Sequence, residues 1–259
     1  MCIRDRPFIG IPGYPVSAYL TFDLFVQELV KAMERKSVEE PMKVDAVLSR
    51  RLVSSVKHTE FVRMKLGRVG DKTIATPLSR GAGSSMSLSR ADGILIIPKN
   101  LEGVEAGENV SIRLLRPLEN IERTLVAVGS HDLILDILSN HMHSQKRGSG
   151  VSSAHVGSMG GVMALKRKEA HLAPIHLLDE STGEYNLPYI ERYLKDEDIC
   201  LIKGVQRVQG LMVKKGNPKA LGSLKDLCQK DVQYANRQRG AGTRILFDYL
   251  LKEQGLLPE

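Results

Sequence analysis

Residues 124–142 read TLVAVGSHDLILDILSNHM, and residues 152–170 read SSAHVGSMGGVMALKRKEA. Each opens with a short strand-forming run, passes through a junction of Gly, Ser or His, and continues with apolar residues at helical spacing. The strand-like HLAPIHLL follows, then the helix YIERYL, the run CLIKGVQRVQGLMVKKG, the helix SLKDLCQK, VQYANR, and finally GTRILFDYLLKEQG. Alternation of this kind predicts a parallel-rich α/β domain over residues 124–259.

Upstream, the texture differs. From Met42 to about Pro117, DAVLSRRLVSS, TEFVRMKLGRV, KTIATPL, GILIIP and ENVSIRLL are β-like runs punctuated by Gly, Asp and Pro. Without long helices between them, they predict a small β-barrel or sandwich. Residues 7–35 read as a short strand, a Gly/Pro turn and a helix, with Phe22, Phe25, Val26, Leu29, Val30 and Met33 on its apolar stripe. The expected fold is thus α/β plus β. It comprises the end of an α/β domain (7–41), a small β domain (42–120) and an α/β ligand-binding domain (124–259).

Composition narrows the partners. The 259 residues carry a net charge of +7, with a pI near 9.3, which favours anions. Aromatic residues are 5% and Trp is absent, so a stacking platform for single-stranded nucleic acid is not expected. No run approaches eighteen apolar residues and no secretory signal is visible, which leads us to expect a cytoplasmic protein that does not span a membrane. Cys2, Cys200 and Cys228 fit neither a disulfide framework nor a metal pair, and no His, Cys or carboxylate spacing suggests a structural metal. MCIRDR at residues 1–6 resembles translated adaptor read-through. The stop at Glu259, just after a helix-like segment, reads as the end of a fragment.

Three junctions invite an anion. Gly129-Ser130-His131-Asp132, Gly157-Ser158-Met159-Gly160-Gly161 and Gly240-Ala241-Gly242-Thr243 each precede a helix. Backbone N–H groups at a helix start, with the positive dipole end, attract an anion beyond the strand ends. Arg237, Arg239 and Arg244 bracket the last junction. Three ordinary N-caps would look the same from spacing. His176 either lines the cleft or is a satisfied core histidine, and His155 and His171 are weaker candidates. At the other end, Gly10–Ser17 (GIPGYPVS) is either a plain strand-to-helix turn or an anion-binding one.

GIPGYPVSAYLTF resembles the G-x-P-G-N-P-x-S motif that ends the catalytic domain of molybdopterin molybdotransferases, with Tyr14 in place of the usual Asn. GAGSSMSLSRADGILIIP (81–98) and EGVEAGENVSIRLL are similar to that family's C-terminal β domain. The resemblance implies that Pro12, Gly13, Pro15, Ser17, Arg63 and Ser84 lie on the molybdopterin side of a cleft. There, molybdate would be inserted into adenylylated molybdopterin. The divalent metal, Mg²⁺, would be held by carboxylates upstream of the Gly/Pro turn, so this piece alone is expected to be inactive. Residues 124–259 resemble a binding-protein-like domain of the periplasmic receptor and LysR-effector type, truncated before its second lobe returns. That implies a small anionic ligand held by Ser130, His131, Ser158, Met159, Gly160, His176, Arg237, Arg239, Gly240, Gly242 and Thr243. The parent protein is expected to be a homodimer. The competing reading is a non-catalytic regulator sensing molybdate, tungstate or another small anion.

Overall fold

The structure is a computed structural model that describes residues 8–37, 41–79, 85–145, 150–237 and 241–256. Mixed α/β architecture is built around a closed five-stranded barrel. Its strands are β1 (Lys43–Leu48), β3 (Glu60–Val69), β4 (Lys72–Pro77), β5 (Gly93–Ile97) and β7 (Asn109–Leu114), in the order β1-β4-β3-β5-β7. The two-residue strands β2 (Leu52–Val53) and β6 (Gly103–Val104) pair beside it. Alternation of inward apolar residues fills the barrel with Leu48, Met64, Leu66, Leu95, Ile97 and Ile112. Of the two expected forms, barrel and sandwich, the chain takes the barrel, because β1 closes on β4 in parallel and on β7 antiparallel.

The ADG of residues 91–93 is part of this construction. Asp92 is buried and accepts hydrogen bonds from the Leu66 N–H and from Lys65 Nζ, both at 2.9 Å. A Cβ added to Gly93 would lie 2.8 Å from the Arg113 carbonyl, so close strand packing excludes a side chain there.

Before the barrel, α1 (Pro15–Thr21) runs through a π-turn at Phe22–Val26 into α2 (Gln27–Met33). Pro15 occupies the first helical position, where its missing N–H costs nothing. The strand expected ahead of it is absent: residues 8–12 join no ladder among the described residues. Phe22, Phe25, Val30 and Met33 on the helical stripe are exposed. The helix is tied to the barrel by an ion pair between Asp23 and Arg113 of β7.

Beyond the barrel come α3 (Ser85–Arg90, between β4 and β5), α4 (Glu119–Glu122), β8 (Thr124–Gly129), α5 (Leu133–Ser144), β9 (Gly150–His155) and α6 (Ser158–Lys166). Strands β8 and β9 pair in parallel, as the alternation predicts. They sit on the outside of the barrel rather than apart from it. Val69 and Ile74 of β3 and β4 share one buried cluster with Val126, Val128, Ala154, Ala164 and Ala170. The approach is close enough that a Cβ on Gly67 would stand 3.1 Å from the Thr124 carbonyl.

The remaining alternation is thinner than expected. HLAPIHLL makes only a bridge from Leu172 to Ala127 and another from Leu178 to Tyr185. After α7 (Leu187–Leu194), residues 195–237 form no strand, and SLKDLCQK yields a 3₁₀ turn at Leu224–Cys228. Strand-like composition needs a neighbouring edge to pair with, and CLIKGVQRVQGLMVKKG finds none among the described residues: Val208 and Met212 are almost wholly exposed. Helix α8 (Gly242–Glu253) then returns to the α/β unit. No helix among the described residues is long and apolar enough to cross a membrane.

Candidate functional site

The site lies where β8 and β9 end. Gly129 closes β8, and its carbonyl accepts the N–H groups of Val156 and Gly157, fixing the entry to α6. Alongside, the bridge segment aligns its backbone with β8: Val128 N donates to Leu172 O at 3.1 Å, and Ser130 N to Pro174 O at 2.8 Å. His171 holds this register, its Nδ1 accepting the Val126 N–H at 3.0 Å, which requires a neutral ring. Burial pushes its pKa below the ordinary value. His171 is therefore structural.

Five residues beyond His171, the segment delivers His176 to the start of α6. Its N–H donates to Ser158 Oγ at 3.1 Å, and its Nδ1 stands 3.4 Å from the same oxygen. The opening of α8 reaches the other side of the ring, where a Cβ on Gly242 would lie 2.9 Å from His176 Nε2. Only glycine admits this approach without displacing the ring. Neither α6 nor α8 carries a side-chain cap, so their first-turn N–H groups are not taken by a capping side chain. Met159 and Gly160 lie in the first turn of α6, and exposed Thr243 in the first turn of α8. Ser130, Ser158, His176 and Gly242 thus share one locality at the strand ends.

The third helix start differs from expectation. Asp132 caps α5 itself, its Oδ1 accepting the Ile134 N–H at 3.0 Å. A carboxylate fills the position where the GSHD junction suggested free donors, because Asp is among the best N-caps. Its other oxygen binds Arg207, whose Nε donates to Oδ2 at 3.0 Å and whose Nη2 donates to both that oxygen and the His131 carbonyl. The Ile134 N–H, then Arg207, hold the Asp132 carboxyl below its usual range. Burial, reinforced by Arg207 and opposed by Asp132, pushes His176 down.

Arg207 is the cation that sequence reasoning missed. It lies 75 positions from Asp132 in a segment without regular structure, so no periodicity points to it. Of the arginines expected from the sequence, two can be placed. Arg244 donates to the Arg237 carbonyl at 3.1 Å and pairs with Asp248 of its own helix, while the Arg237 side chain is exposed. Arg239 and Gly240 lie outside the described residues. His131 turns its ring away to meet His155, Nδ1 to Nε2 at 3.1 Å, and contributes only its carbonyl to Arg207.

On the barrel, α1, which opens within Gly10–Ser17, touches α3. Pro12 and Gly13 are exposed ahead of α1, and Ser17 is half-buried in its first turn. Ser84 lies outside the described residues. Arg63 is not a solvated strand arginine. It is buried on β3, its Nη2 donates to the Ser79 carbonyl at 2.5 Å, and burial lowers its pKa. Nearby, Arg50, Arg51, Leu52, Val53 and Pro77–Ser79 line an open depression of about 330 Å³, where Arg50 Nη2 donates to the Pro77 carbonyl. Among the described residues, no three His, Cys, Asp or Glu side chains gather as a metal site.

Comparison with known families gives two matches along the chain. Residues 45–115, the barrel, match the MoeA C-terminal region (domain IV), and residues 139–259 match the PBP superfamily domain. The chain joins a MoeA C-terminal domain to a PBP-like domain. Protein YvgK of Bacillus subtilis (strain 168) is 36% identical over 136 residues, 52% of this chain and 44% of that protein. A putative molybdopterin biosynthesis protein of Methanocaldococcus jannaschii is 36% identical over 114 residues, and the molybdopterin molybdenumtransferase of Bacillus subtilis is 29% identical over 114. Each of the latter two covers 44% of this chain and 26% of its own length, so the chain spans less than half of each relative.

Proposed function

We propose that this chain serves molybdenum cofactor biosynthesis, with the PBP-like unit binding a small oxyanion beside a MoeA-type barrel. The observation that carries the reading is the convergence of Ser158, His176 and Gly242 at the ends of β8 and β9, with Arg207 bound to His131 and Asp132 at the start of α5. Hydroxyl, uncapped helix N–H groups and a guanidinium together suit a tetrahedral anion such as molybdate or tungstate. Chemistry at the barrel is read from the relatives' names. The parent protein would insert molybdate into adenylylated molybdopterin, with Pro12, Gly13, Pro15, Ser17 and Ser84 facing that substrate. Arg63 would act there as a positioning residue, holding the Ser79 carbonyl at the approach to the glycine-rich turn.

Titration calorimetry of the chain against molybdate, tungstate, sulfate and phosphate tests the binding half. The expected result is saturable binding of at least one anion, weakened about tenfold, or about 1.4 kcal/mol, by Ser158→Ala. Absence of binding to all four would remove the oxyanion reading.

A further inference from the structure

We propose that the Asp132–Arg207 pair is a displaceable latch: Arg207 is the charge partner of the bound anion, and Asp132 is the counter-ion it leaves when the anion arrives. This rests on the anion-binding reading above.

Arg207 belongs to the irregular run 198–213, which joins no sheet or helix among the described residues. Among the described residues its side-chain hydrogen bonds all go to residues 131 and 132, so this one guanidinium fastens the run to the start of α5. The carboxylate that receives it also caps α5, which fixes the carboxylate and leaves Arg207 as the movable partner. Arg207 Nη1 has no partner among the described residues, leaving a donor for a ligand oxygen. The arginine is 45% exposed, where ion pairs are weak and an incoming anion can compete for the cation. His131, whose carbonyl it binds, follows Ser130, whose N–H donates to the Pro174 carbonyl two residues before His176, so the exchange lies on the Ser158 side of the strand ends.

Asp132→Asn removes the counter-charge yet keeps an oxygen to cap Ile134. In the calorimetric titrations with the four oxyanions it is expected to raise affinity by roughly tenfold, and Arg207→Gln to lower it by at least as much. In the double variant, the gain from Asp132→Asn should vanish, since Asp132 acts through Arg207. A gain that persists without Arg207 means simple repulsion and overturns the latch, as does unchanged affinity in Asp132→Asn. A readout without ligand is tryptic cleavage at Lys203, Lys214 and Lys215, which both single variants should accelerate several-fold. Cleavage at the wild-type rate overturns the latch. If neither wild type nor Asp132→Asn binds any of the four anions, the anion-binding reading falls and takes the ligand exchange with it. The cleavage rates still decide whether Arg207 fastens the run.

Discussion

Asp92 in the barrel and Asp132 at the start of α5 each accept one backbone N–H and one cationic side chain. Their surroundings make them opposites. Asp92 is 1% exposed and its Lys65 partner mostly covered, so neither can turn elsewhere. Asp132 and Arg207 stand in solvent reach, joined across 75 positions of chain. The same chemistry therefore builds framework in one region and stays available for exchange in the other. Burial makes that difference, because removing a partner from a covered pair strands a charge, whereas water compensates at the surface.

The sharpest way to break this contrast is Asp92→Ala. Stranding Lys65 and the Leu66 N–H is expected to cost roughly 3–5 kcal/mol in denaturant unfolding. Next is Ile74→Ala in the shared cluster, at roughly 2–5 kcal/mol. Because that cluster spans both regions, fluorescence and far-ultraviolet dichroism should shift together in one transition. Separate transitions would show that the two halves are independent. Asp132→Ala should cost only about 1 kcal/mol, the value of a helix cap. A loss equal to that of Asp92→Ala would erase the distinction.

A pH titration of stability sharpens it further. His155, His171 and His176 all lie below the ordinary value of 6.5, with burial the first cause in each. The unfolded chain then binds more protons than the folded one between the two pKa values. Their contribution is complete above about pH 6.5 and is lost as pH falls through the folded values. Protonating His171 also removes the acceptor for the Val126 N–H, so His171→Ala should flatten part of the acid limb. Stability unchanged from pH 7 to 5 would contradict that bond. The smallest effect belongs to Arg51→Ala. It breaks an exposed pair with Glu105 and should stay within about 0.5 kcal/mol.

Much of the architecture was legible because its signals are local. Alternation in TEFVRMKLGRV and GILIIP marks inward faces, and both runs are barrel strands. The parallel β8–β9 pair and the helices after it follow from period and junction residues in the same way. CLIKGVQRVQGLMVKKG shows the limit: its composition suits a strand, yet no edge among the described residues is offered to it. GSHD was read as a source of free N–H groups, although its Asp is also a preferred cap, and the cap prevails. Arg63 could not be placed by pattern, since period puts it on a strand without saying what covers it.

The sequence by itself determined where strands and helices form and which small residues sit at the turns between them. Those properties depend on neighbours a few positions apart, through pleat, helical period and capping. Tertiary structure alone decided that the β runs close into a barrel, that Ile74 and Val128 share a core, and that Arg207 rather than Arg244 meets Asp132. Such choices join positions tens of residues apart, and only the path of the folded chain brings those partners within bonding distance.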